Sequence, residues 1–522
     1  MEFNHSSTWD RIRENAALGY DICVVGGGAT GTGIALDAAL RGYKVLLVEK
    51  GDFASQTSSK STKLVHGGVR YLEQAVKKLD WQQFHMVYKA LHERKAMIAN
   101  APHLAHPLGL VTPCYSLFEK IYYRIGMWLY DKIAGKTNLK NSTTVSNRRL
   151  KELLPTLNTK GMVGGILYYD GQFNDARYAL ALAKAAAHEG ADVINYTAWK
   201  GFEFSQKSLK INKVNIQNLQ NGEELSVSVK AVINATGPFS DALRKAANLK
   251  LKPRMKVSRG AHIVLPKVLW PSAKALLIPK TDDGRVVFVI PWRDYILVGT
   301  TDEPDTLQES PQILEEEKTY LLDYFNRYSS KTATLNDITG VFTGQRPLIE
   351  AAINQVMPED TKSIVRDHEV EIDSRSKLVS ILGGKWTTYR LMAKDTLDML
   401  ESEVFVIPQK KCKTKHYGLF SKIEFSETAF LELAKQHALE EATMKHLQEV
   451  YGPEKNLVLS HCISEPQGLQ AILEGQPYLK GELSYSKKFE MSESIDDVLE
   501  RRWGISIRDA TTAAEIKKVA SF

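Results

Sequence analysis

Residues 20–50, YDICVVGGGATGTGIALDAALRGYKVLLVEK, have the types and the spacing of a nucleotide-binding turn. Gly26, Gly28 and Gly31 form the pattern G-x-G-x-x-G after an apolar, β-branched run that is typical of a buried parallel strand. Because Gly28 has no Cβ, a pyrophosphate can approach the helix N-terminus, where free N–H groups and the dipole favour negative charge. Glu49 closes the next strand, where its carboxylate can accept hydrogen bonds from a ribose diol. This order of strand, turn, helix and acid predicts dinucleotide binding.

A second polar segment, residues 57–73, has the sequence TSSKSTKLVHGGVRYLE. The hydroxyl groups of its first three residues can donate hydrogen bonds to phosphate oxygens. His66 precedes two glycines that would let a planar ring pass close to the backbone. Because histidine titrates near neutral pH, a neutral imidazole can take the proton of a substrate hydroxyl as hydride leaves. His66 is therefore our candidate for the catalytic base, and His262, in an apolar strand, is its rival.

The elements that must position these residues alternate along the chain. A helix is expected within residues 171–190, with Asn174 or Asp175 as its N-cap. An apolar strand ends in Ala-Thr-Gly at 235–237, and a late strand breaks at the Gly-Gly pair 383–384 before another helix. This order resembles the discontinuous FAD domain of the glutathione-reductase-like and D-amino-acid-oxidase-like flavoproteins, in which the late turn lies over the flavin. The resemblance implies FAD rather than NAD.

Length and composition bound the remaining classes of protein. The 522 residues exceed one compact core, so two or three domains are expected. The net charge of +7 suits anionic ligands or an anionic membrane surface, and no concentrated basic run favours nucleic acid. The four cysteines are widely spaced, so neither disulfides nor a zinc site is expected. The sequence has no D-x-D-x-D-G run, so no calcium-binding loop is expected. No signal-peptide pattern and no window of about 18 apolar residues occurs, so no membrane-spanning helix is expected.

Several long motifs carry a more specific resemblance. Besides the segment 57–73, they are ERKAMIANAPHLAHPLGLVTP, YYDGQFNDARYALALA, SRGAHIVLP, DGRVVFVIPWRDYILVGTTDEP, GQRPLI, SIVRDHEVEI and GGKWTTYR. They lie between about Tyr20 and Arg390, and a weaker match follows near the C-terminus. The chain resembles the FAD-dependent glycerol-3-phosphate dehydrogenases, which are respiratory and membrane-associated. The resemblance implies oxidation of sn-glycerol 3-phosphate at C2 to dihydroxyacetone phosphate, with hydride passing to flavin N5 and electrons passing to a membrane quinone.

The same resemblance implies a substrate pocket with fixed cations, because the substrate is a dianionic phosphate. The residues expected to bind the substrate are Arg70, Tyr71, His262, Arg346, Arg366 and Lys385. Arginine offers phosphate two parallel charge-assisted hydrogen bonds, whereas lysine is a point charge. We expect His66, Arg346 and Lys385 to be catalytic. Which cation faces the phosphate and which faces the C2 oxygen is left open, as is the choice between His66 and His262 as the base.

The residues expected to contact FAD come from the turns described above. They are Gly26, Gly28, Gly31, Glu49, Lys50, Thr57, Ser58, Ser59, Ala235, Gly237, Gly384, Lys385 and Thr387. The chain has Arg-Gly-Ala-His at 259–262 where a relative can have Lys-Gly-Ser-His. The histidine is kept, but its local contacts are uncertain.

The expected fold class is α/β, with three domains. A Rossmann-like FAD-binding domain is assigned to 15–95, 160–250 and 344–400, a substrate and membrane-contact domain to 96–159 and 251–343, and a helical C-terminal domain to 401–522. The middle domain is expected to contain an antiparallel sheet, because residues 251–343 are rich in short β-branched runs. The use of the C-terminal domain does not follow from the sequence.

Residues 117–136, LFEKIYYRIGMWLYDKIAGK, are amphipathic at helical period. One face contains Phe118, Ile121, Tyr122, Ile125, Leu129 and Ile133, and the opposite face contains Lys120, Arg124 and Asp131. Aromatic rings with flanking cations suit a membrane interface. With the resemblance, this predicts a cytoplasmic protein bound peripherally to anionic lipid on the inner face of the cell membrane. The alternative is a helix that packs this face on the protein's own core.

Other functions stay open on the sequence alone. A glycerol-3-phosphate oxidase would share the substrate pocket but pass its electrons to oxygen and release peroxide. A non-catalytic flavin- or nucleotide-binding protein would not need the set of His66, Arg346 and Lys385. An amino-acid oxidase of the same fold should lack so many cations in its pocket. Whether the protein forms a homodimer is also open.

Overall fold

The computed structural model describes residues 2–68, 80–350, 368–520 and 522. Its strands are β1 (Tyr20–Val25), β2 (Val45–Val48), β3 (Leu64–Val65), β4 (Ala105–Cys114), β5 (Thr143–Val145), β6 (Gly164–Phe173), β7 (Asp192–Ile194), β8 (Thr197–Phe204), β9 (Ile211–Asn218), β10 (Glu224–Asn234), β11 (Met255–Pro266), β12 (Ala275–Ile278), β13 (Val287–Trp292), β14 (Tyr295–Gly299), β15 (Glu303–Asp305), β16 (Gly340–Ile349), β17 (His368–Ile372) and β18 (Val379–Gly383). Its α-helices are α1 (His5–Asn15), α2 (Ala29–Leu40), α3 (Trp81–Asn100), α4 (Leu117–Ala134), α5 (Asn147–Leu153), α6 (Asp175–His188), α7 (Ser240–Ala247), α8 (Glu315–Tyr328), α9 (Tyr389–Leu400), α10 (Glu427–Gln436), α11 (Glu441–Tyr451), α12 (Lys455–Ser464), α13 (Lys480–Phe489), α14 (Ile495–Asp497), α15 (Ile505–Arg508) and α16 (Ala510–Val519).

The first sheet has the strand order β17-β18-β10-β1-β2-β7, and β9 and β8 extend it from β10 as a meander. Its central pairs, β18 with β10, β10 with β1, β1 with β2 and β2 with β7, are parallel. Helix α2 packs between α6 and α9. This is the α/β arrangement that the glycine pattern predicted, with α2 crossing between the parallel strands β1 and β2.

The helix expected within residues 171–190 begins later than its first glycine. Residues 164–173 form β6, whose Gly171 pairs with Val65 of β3. The N-cap is Asn174, whose side-chain oxygen accepts a hydrogen bond from the Arg177 N–H at 3.2 Å, so the helix starts at Asp175. The predicted N-cap is confirmed at Asn174, and residues 171–173 before it belong to strand β6.

The second sheet has the strand order β15-β11-β14-β13-β12-β4-β6-β3, with β16 beside β11 and β5 beside β6. Its strands pair antiparallel except for β12 with β4. Most of them come from residues 251–349, as the sequence predicted. Strand β6 also joins this sheet, although the range 160–250 was assigned to the FAD domain. The domain boundaries themselves stay predictions.

The described residues from 401 onward form helices and turns around a core of their own. Buried ion pairs join this C-terminal part to helix α6 and to the turn after β2. Arg177 contacts Glu490 at 2.7 Å, and Lys184 contacts Glu454 at 2.5 Å. Asp52 pairs with Arg501 and Arg502, at a distance of 2.5 Å to the Arg501 Nε. The helical C-terminal part is therefore joined to the nucleotide-binding part of the fold through largely buried charges.

Helix α4 turns its apolar side outward. Phe118 is 78% exposed, Ile121 62% and Ile125 60%. The cations of the other face point inward, because Lys120 donates to the Val163 carbonyl and Arg124 donates to Ser142. The alternative of an apolar face packed on the core is therefore wrong for these three residues, although Ile133 at the far end is buried. Within the described parts of the chain, every helix is too short or too polar to cross a membrane.

Candidate functional site

The three glycine turns meet at one edge of the first sheet. Val25 at the end of β1 is in register with Asn234 of β10 on one side and with Val48 of β2 on the other. Asn234 is in turn paired with Ser380 of β18. Because parallel strands point the same way, the turns that follow them lie side by side at their carboxyl ends. This edge is where open α/β sheets bind nucleotides.

The first turn has no room for side chains. Gly26 has a φ of +113°, and a Cβ on it would lie 2.6 Å from the Ala235 carbonyl oxygen. A Cβ on Gly31 would collide with the Gly26 carbonyl, so helix α2 packs directly on the turn. The N–H groups at the start of α2 are thereby held at the sheet edge, where they can face a pyrophosphate.

Acceptors already surround this helix start. Glu49 accepts hydrogen bonds from the Gly27 N–H at 2.6 Å and the Gly51 N–H at 2.8 Å. The Ser58 hydroxyl oxygen accepts one from the Ala29 N–H at 3.0 Å. Burial raises the pKa of Glu49, and the two N–H bonds act in the opposite direction. Backbone amides, a hydroxyl and a carboxylate beside a glycine turn are the kinds of donor and acceptor that a dinucleotide needs, so these residues fit FAD.

The other residues expected at the cofactor differ in their surroundings. Lys50 is exposed and pairs with Glu309 at 2.6 Å. The Thr57 hydroxyl donates to the Gln345 carbonyl at 2.7 Å, which ties the polar segment to β16. Gly237 and Gly384 have positive φ, of +56° and +87°, and Ser59 and Thr387 are buried. Their contact with FAD stays a prediction.

Strands β11 and β16 bring His262 and Arg346 together. A Cβ on Gly260 would collide with the Arg346 guanidinium, so this glycine makes room for the arginine beside the strand that carries His262. Arg346 donates to the Thr300 hydroxyl at 2.9 Å and the Thr301 carbonyl at 3.0 Å, and it pairs with Asp302 at 3.2 Å. Its fork is therefore oriented before any substrate arrives.

His262 is buried in a cationic environment. Its ring stacks on Phe342 with centroids 4.6 Å apart, and its Nε2 is 3.0 Å from the Thr62 hydroxyl. Burial, together with the charges of Arg346 and Lys63, lowers the pKa of His262 well below its usual range. A neutral imidazole beside a fixed guanidinium can accept a proton from a hydroxyl whose conjugate base the cation stabilises.

The polar segment is anchored between the two sheets. The Lys63 ammonium contacts Asp175 and the Ser59 carbonyl, both at 2.5 Å, and lies 5.1 Å from the centre of the Phe342 ring. The Ser61 hydroxyl donates to the same Asp175 carboxylate at 2.6 Å. These bonds hold the segment along a path from the cofactor turn, past His262, to His66.

Helix α3 connects Lys385 with the segment that carries His66. The Lys385 ammonium lies 3.7 Å from the Met86 sulfur, and Leu91 of the same helix packs against Gly67. Met86 and Leu91 are five residues apart, which is roughly 7.5 Å along a helix. Lys385 and the His66 segment therefore contact the same short stretch of α3. Trp386, next to Lys385, donates to the Ser58 carbonyl at 2.8 Å and joins the late glycine turn to the first one.

Three predicted substrate residues cannot be placed. Arg70, Tyr71 and Arg366 lie outside the described residues. The predicted residues that the structure does place, Arg346, His262, Lys385 and His66, come from four separate stretches of the chain and adjoin the same anchored segment or helix. Their roles stay predictions.

Sequence reasoning missed several supporting residues. Asp302, which the sequence analysis did not single out, pairs with the Arg346 guanidinium. Thr62 and Lys63 lie in the polar segment but were not singled out. Tyr130, which accepts a hydrogen bond from the Gly67 N–H beside His66, and its partner Asp170 come from distant elements, and spacing in the sequence gives no signal that would connect them to this segment.

Two family descriptions match the chain. Residues 21–390 match the family described as FAD dependent oxidoreductase. Residues 412–521 match the C-terminal domain of alpha-glycerophosphate oxidase. The boundary between the matches agrees with the change from sheet-based to helical structure near residue 401. The first match covers most of the chain and makes FAD the cofactor.

Relatives of known name match over nearly the full chain. The mitochondrial glycerol-3-phosphate dehydrogenase of Arabidopsis thaliana is 40% identical over 96% of this chain and 82% of its own length. The mitochondrial enzyme of the same name from Bos taurus is 39% identical over 95% of this chain and 69% of its own length.

A solved structure agrees with these relatives. It is a glycerol-3-phosphate dehydrogenase from Bacillus halodurans in complex with FAD, which has a TM-score of 0.78 and 28% identity over 99% of this chain and 92% of its own. The L-alpha-glycerophosphate oxidase of Mycoplasma pneumoniae, at 16% identity and a TM-score of 0.56 over 76% of this chain and 97% of its own, shares the fold. On the family matches and these relatives together, the chain belongs to the FAD-dependent glycerol-3-phosphate dehydrogenases.

Proposed function

We propose that this chain oxidises sn-glycerol 3-phosphate at C2 to dihydroxyacetone phosphate. The observation that carries the proposal is the Arg346 guanidinium, oriented by Asp302 and Thr300 and packed over Gly260 beside the buried, neutral His262. Such a site binds an anionic polyol and offers a proton acceptor. Relatives that match nearly the whole chain bear the name of this activity.

The protein's residues divide the work around the bound cofactor. FAD, when bound, supplies the two-electron acceptor for the C2 hydride. Arg346 and Lys385 supply the cations for the phosphate and for the C2 oxygen, whose charge grows as its proton leaves. His66 takes that proton, because it directly precedes the glycine pair that lets the segment approach a planar ring. His262 is the second candidate for this role.

We further propose that the electrons leave to a quinone in the membrane. The support is the outward apolar side of α4, where Phe118, Ile121 and Ile125 are each more than half exposed. An exposed row of large apolar and aromatic side chains on a helix marks a membrane or protein contact. The helix would lie in the interface without crossing it, on the inner face of the cell membrane.

One experiment compares quinone and oxygen directly as electron acceptors. Purified protein with added vesicles and a soluble ubiquinone analogue should reduce the quinone when sn-glycerol 3-phosphate is present, with little oxygen uptake. The second candidate, an oxidase, has a specific observation in its favour, because residues 412–521 match a domain named for alpha-glycerophosphate oxidase. Stoichiometric peroxide release, with no quinone reduction, would establish that candidate.

The substrate test uses two close analogues. Glycerol keeps the C2 hydroxyl but lacks the phosphate, and sn-glycerol 1-phosphate keeps the phosphate but inverts C2. Both should reduce the flavin far more slowly than sn-glycerol 3-phosphate, since the cations must hold the phosphate while C2 faces the acceptor. Equal rates with glycerol would remove phosphate recognition from the site.

A further inference from the structure

A buried polar network lies behind the glycine that follows His66. The Gly67 N–H donates to the Tyr130 hydroxyl at 2.8 Å. That hydroxyl is 2.9 Å and 3.1 Å from the two oxygens of Asp170, and Arg94 pairs with Asp170 at 2.5 Å. Helices α3 and α4 and strand β6 therefore converge on one backbone amide of the HGG segment.

The direction of each bond in the network is fixed by chemistry. An ionised carboxylate only accepts, so the single hydroxyl proton of Tyr130 must point at Asp170. The lone pairs of the hydroxyl are then left for the Gly67 N–H. Burial and the Asp170 charge raise the pKa of Tyr130 well above its usual range, which keeps that proton in place.

The bonded amide is covalently part of the His66 unit. The Gly67 nitrogen is joined to the His66 carbonyl carbon in one planar peptide group, so a bond to it fixes the backbone angle that aims the His66 side chain. A Cβ on Gly67 would lie 2.6 Å from the Tyr130 oxygen and from a Leu91 methyl group. The segment is thus held both by a hydrogen bond and by close packing.

Burying this network costs more free energy than a purely structural role would require. Arg94, Asp170 and Tyr130 are each at most 1% exposed, and hydrophobic side chains of similar size would fill the same space without losing hydration. A buried ion pair is therefore poor support for stability alone. What the network does achieve is to fix the orientation of the Tyr130 hydroxyl, whose lone pairs face the backbone N–H that follows His66.

We propose that Tyr130, oriented by Asp170 and Arg94, is a positioning residue that fixes His66 for proton transfer. This inference rests on the proposed role of His66 as the base. Loss of the hydroxyl would leave FAD and substrate bound but let the imidazole depart from its reactive position, and small misplacements of catalytic groups cost large factors in rate.

The test measures flavin reduction by sn-glycerol 3-phosphate in a stopped-flow instrument without oxygen. Tyr130→Phe should lower the limiting rate by about ten- to a hundredfold and leave the substrate concentration for half-saturation nearly unchanged. Across pH, the plateau should fall while the titration of the base persists. The matched control is Tyr168→Phe, a buried tyrosine 6.5 Å from the Tyr130 ring, whose loss leaves the Gly67 bond in place and should keep the wild-type rate.

A double variant separates positioning from a general loss of structure. If Tyr130 acts through His66, Tyr130→Phe should slow the His66→Ala enzyme no further. A wild-type rate in Tyr130→Phe, or an additive loss in the double variant, would overturn the inference. Should Tyr130→Phe fail to retain FAD, Asp170→Asn frees the same hydroxyl from its carboxylate and should show the same non-additivity.

The outcome for His66 is read independently. A wild-type rate in His66→Ala would remove His66 as the base and overturn this inference with it. Flavin reduction by sn-glycerol 3-phosphate in that variant would still leave the proposed overall reaction standing.

Discussion

At the scale of single residues, Arg346 is the best-defined part of the candidate site. Its guanidinium is oriented by Thr300, Thr301 and Asp302, and only one-fifth of the side chain is exposed. A pre-oriented arginine loses little entropy when it binds an anion. The guanidinium is therefore oriented before any ligand binds to the candidate site.

Replacing this cation should affect catalysis strongly. Arg346→Ala should lower kcat/KM for sn-glycerol 3-phosphate, because a charge-assisted contact in a largely buried site is lost. The expected loss of transition-state stabilisation is about 2–4 kcal/mol. Arg346→Lys keeps the charge without the fork and should fall between. Arg327→Ala, at an exposed arginine paired with Asp282, serves as the control. Near-normal kcat/KM in Arg346→Ala would place the substrate elsewhere.

His103 should make the folded protein sensitive to acid. Burial, with a smaller effect of Arg177, lowers its pKa to about 3, and its ring packs edge-on against Phe420. Below about pH 6.5 the unfolded chain binds a proton that the folded protein refuses, so stability should fall by about 1.4 kcal/mol per pH unit from this residue until pH approaches 3.

Thermal unfolding checks the contribution of His103. The drop in Tm between pH 7 and pH 5 should be smaller in His103→Leu than in the wild type, since leucine has no proton to bind. His416→Leu, at an exposed histidine, should leave the drop unchanged. An equal drop in His103→Leu and wild type would show that this ring does not govern the acid response.

At the scale of elements, the parts that the sequence predicted are contiguous patterns. The turn at Gly26 and the acid Glu49 belong to one βαβ unit, so local spacing specifies both the elements and the hydrogen bond from the Gly27 N–H to Glu49. The residues that bond to the backbone next to His66 come from separate elements. Asp170 and Tyr130 meet only because β6 and α4 fold together, and no local period encodes that contact.

The N-cap of helix α6 was predicted from the sequence, but the conformation of the residues just before it was not. Residues 171–173 precede a good capping residue, and by propensity alone they could belong to the helix or to a strand. Pairing of β6 with β3 and β4 decides in favour of the strand. Non-local pairing thus decides the conformation of residues whose local propensity is ambiguous.

The exposed face of helix α4 predicts that membrane binding can be lost without loss of flavin reduction. Replacing both Ile121 and Ile125 by Glu should weaken binding to anionic vesicles more than tenfold, because each isoleucine contributes about 1.5–3 kcal/mol when fully buried in an apolar phase. Flavin reduction in solution should be unchanged. Leu249→Glu, at a leucine that is 81% exposed outside this helix, should still bind vesicles.

Co-sedimentation with vesicles would measure this binding. Unchanged sedimentation of the double Glu variant would remove α4 as the membrane contact. Loss of sedimentation in Leu249→Glu as well would mean that added negative charge, and not the face of α4, controls binding.

At the scale of the whole molecule, the C-terminal helices are coupled to the nucleotide turn through Asp52. Burial would raise the pKa of Asp52, but Arg502 and Arg501 outweigh it and lower the pKa to about 2. The neighbouring Gly51 donates its N–H to Glu49. The stability from this carboxylate is present above about pH 4 and is lost as pH falls towards 2.

Asp52→Asn should therefore destabilise the molecule at neutral pH. Removing the charge leaves the buried Arg502 without its carboxylate, whereas Arg501 keeps Asp497 and Glu500. Breaking a buried pair costs about 3–5 kcal/mol. A clearly lower Tm and weaker retention of FAD are expected. Asp496→Asn, in an exposed pair with Lys517, should change stability by less than about 1 kcal/mol. Equal Tm values for Asp52→Asn and wild type would contradict this coupling.

The most direct measurement of the proposed activity is the addition of sn-glycerol 3-phosphate to the oxidised, FAD-bound protein in the absence of oxygen. We predict rapid loss of the yellow flavin absorbance, with the limiting rate strongly reduced in Arg346→Ala. A flavin that stays yellow with this substrate, yet bleaches with dithionite, would contradict the assigned substrate while leaving the FAD site intact.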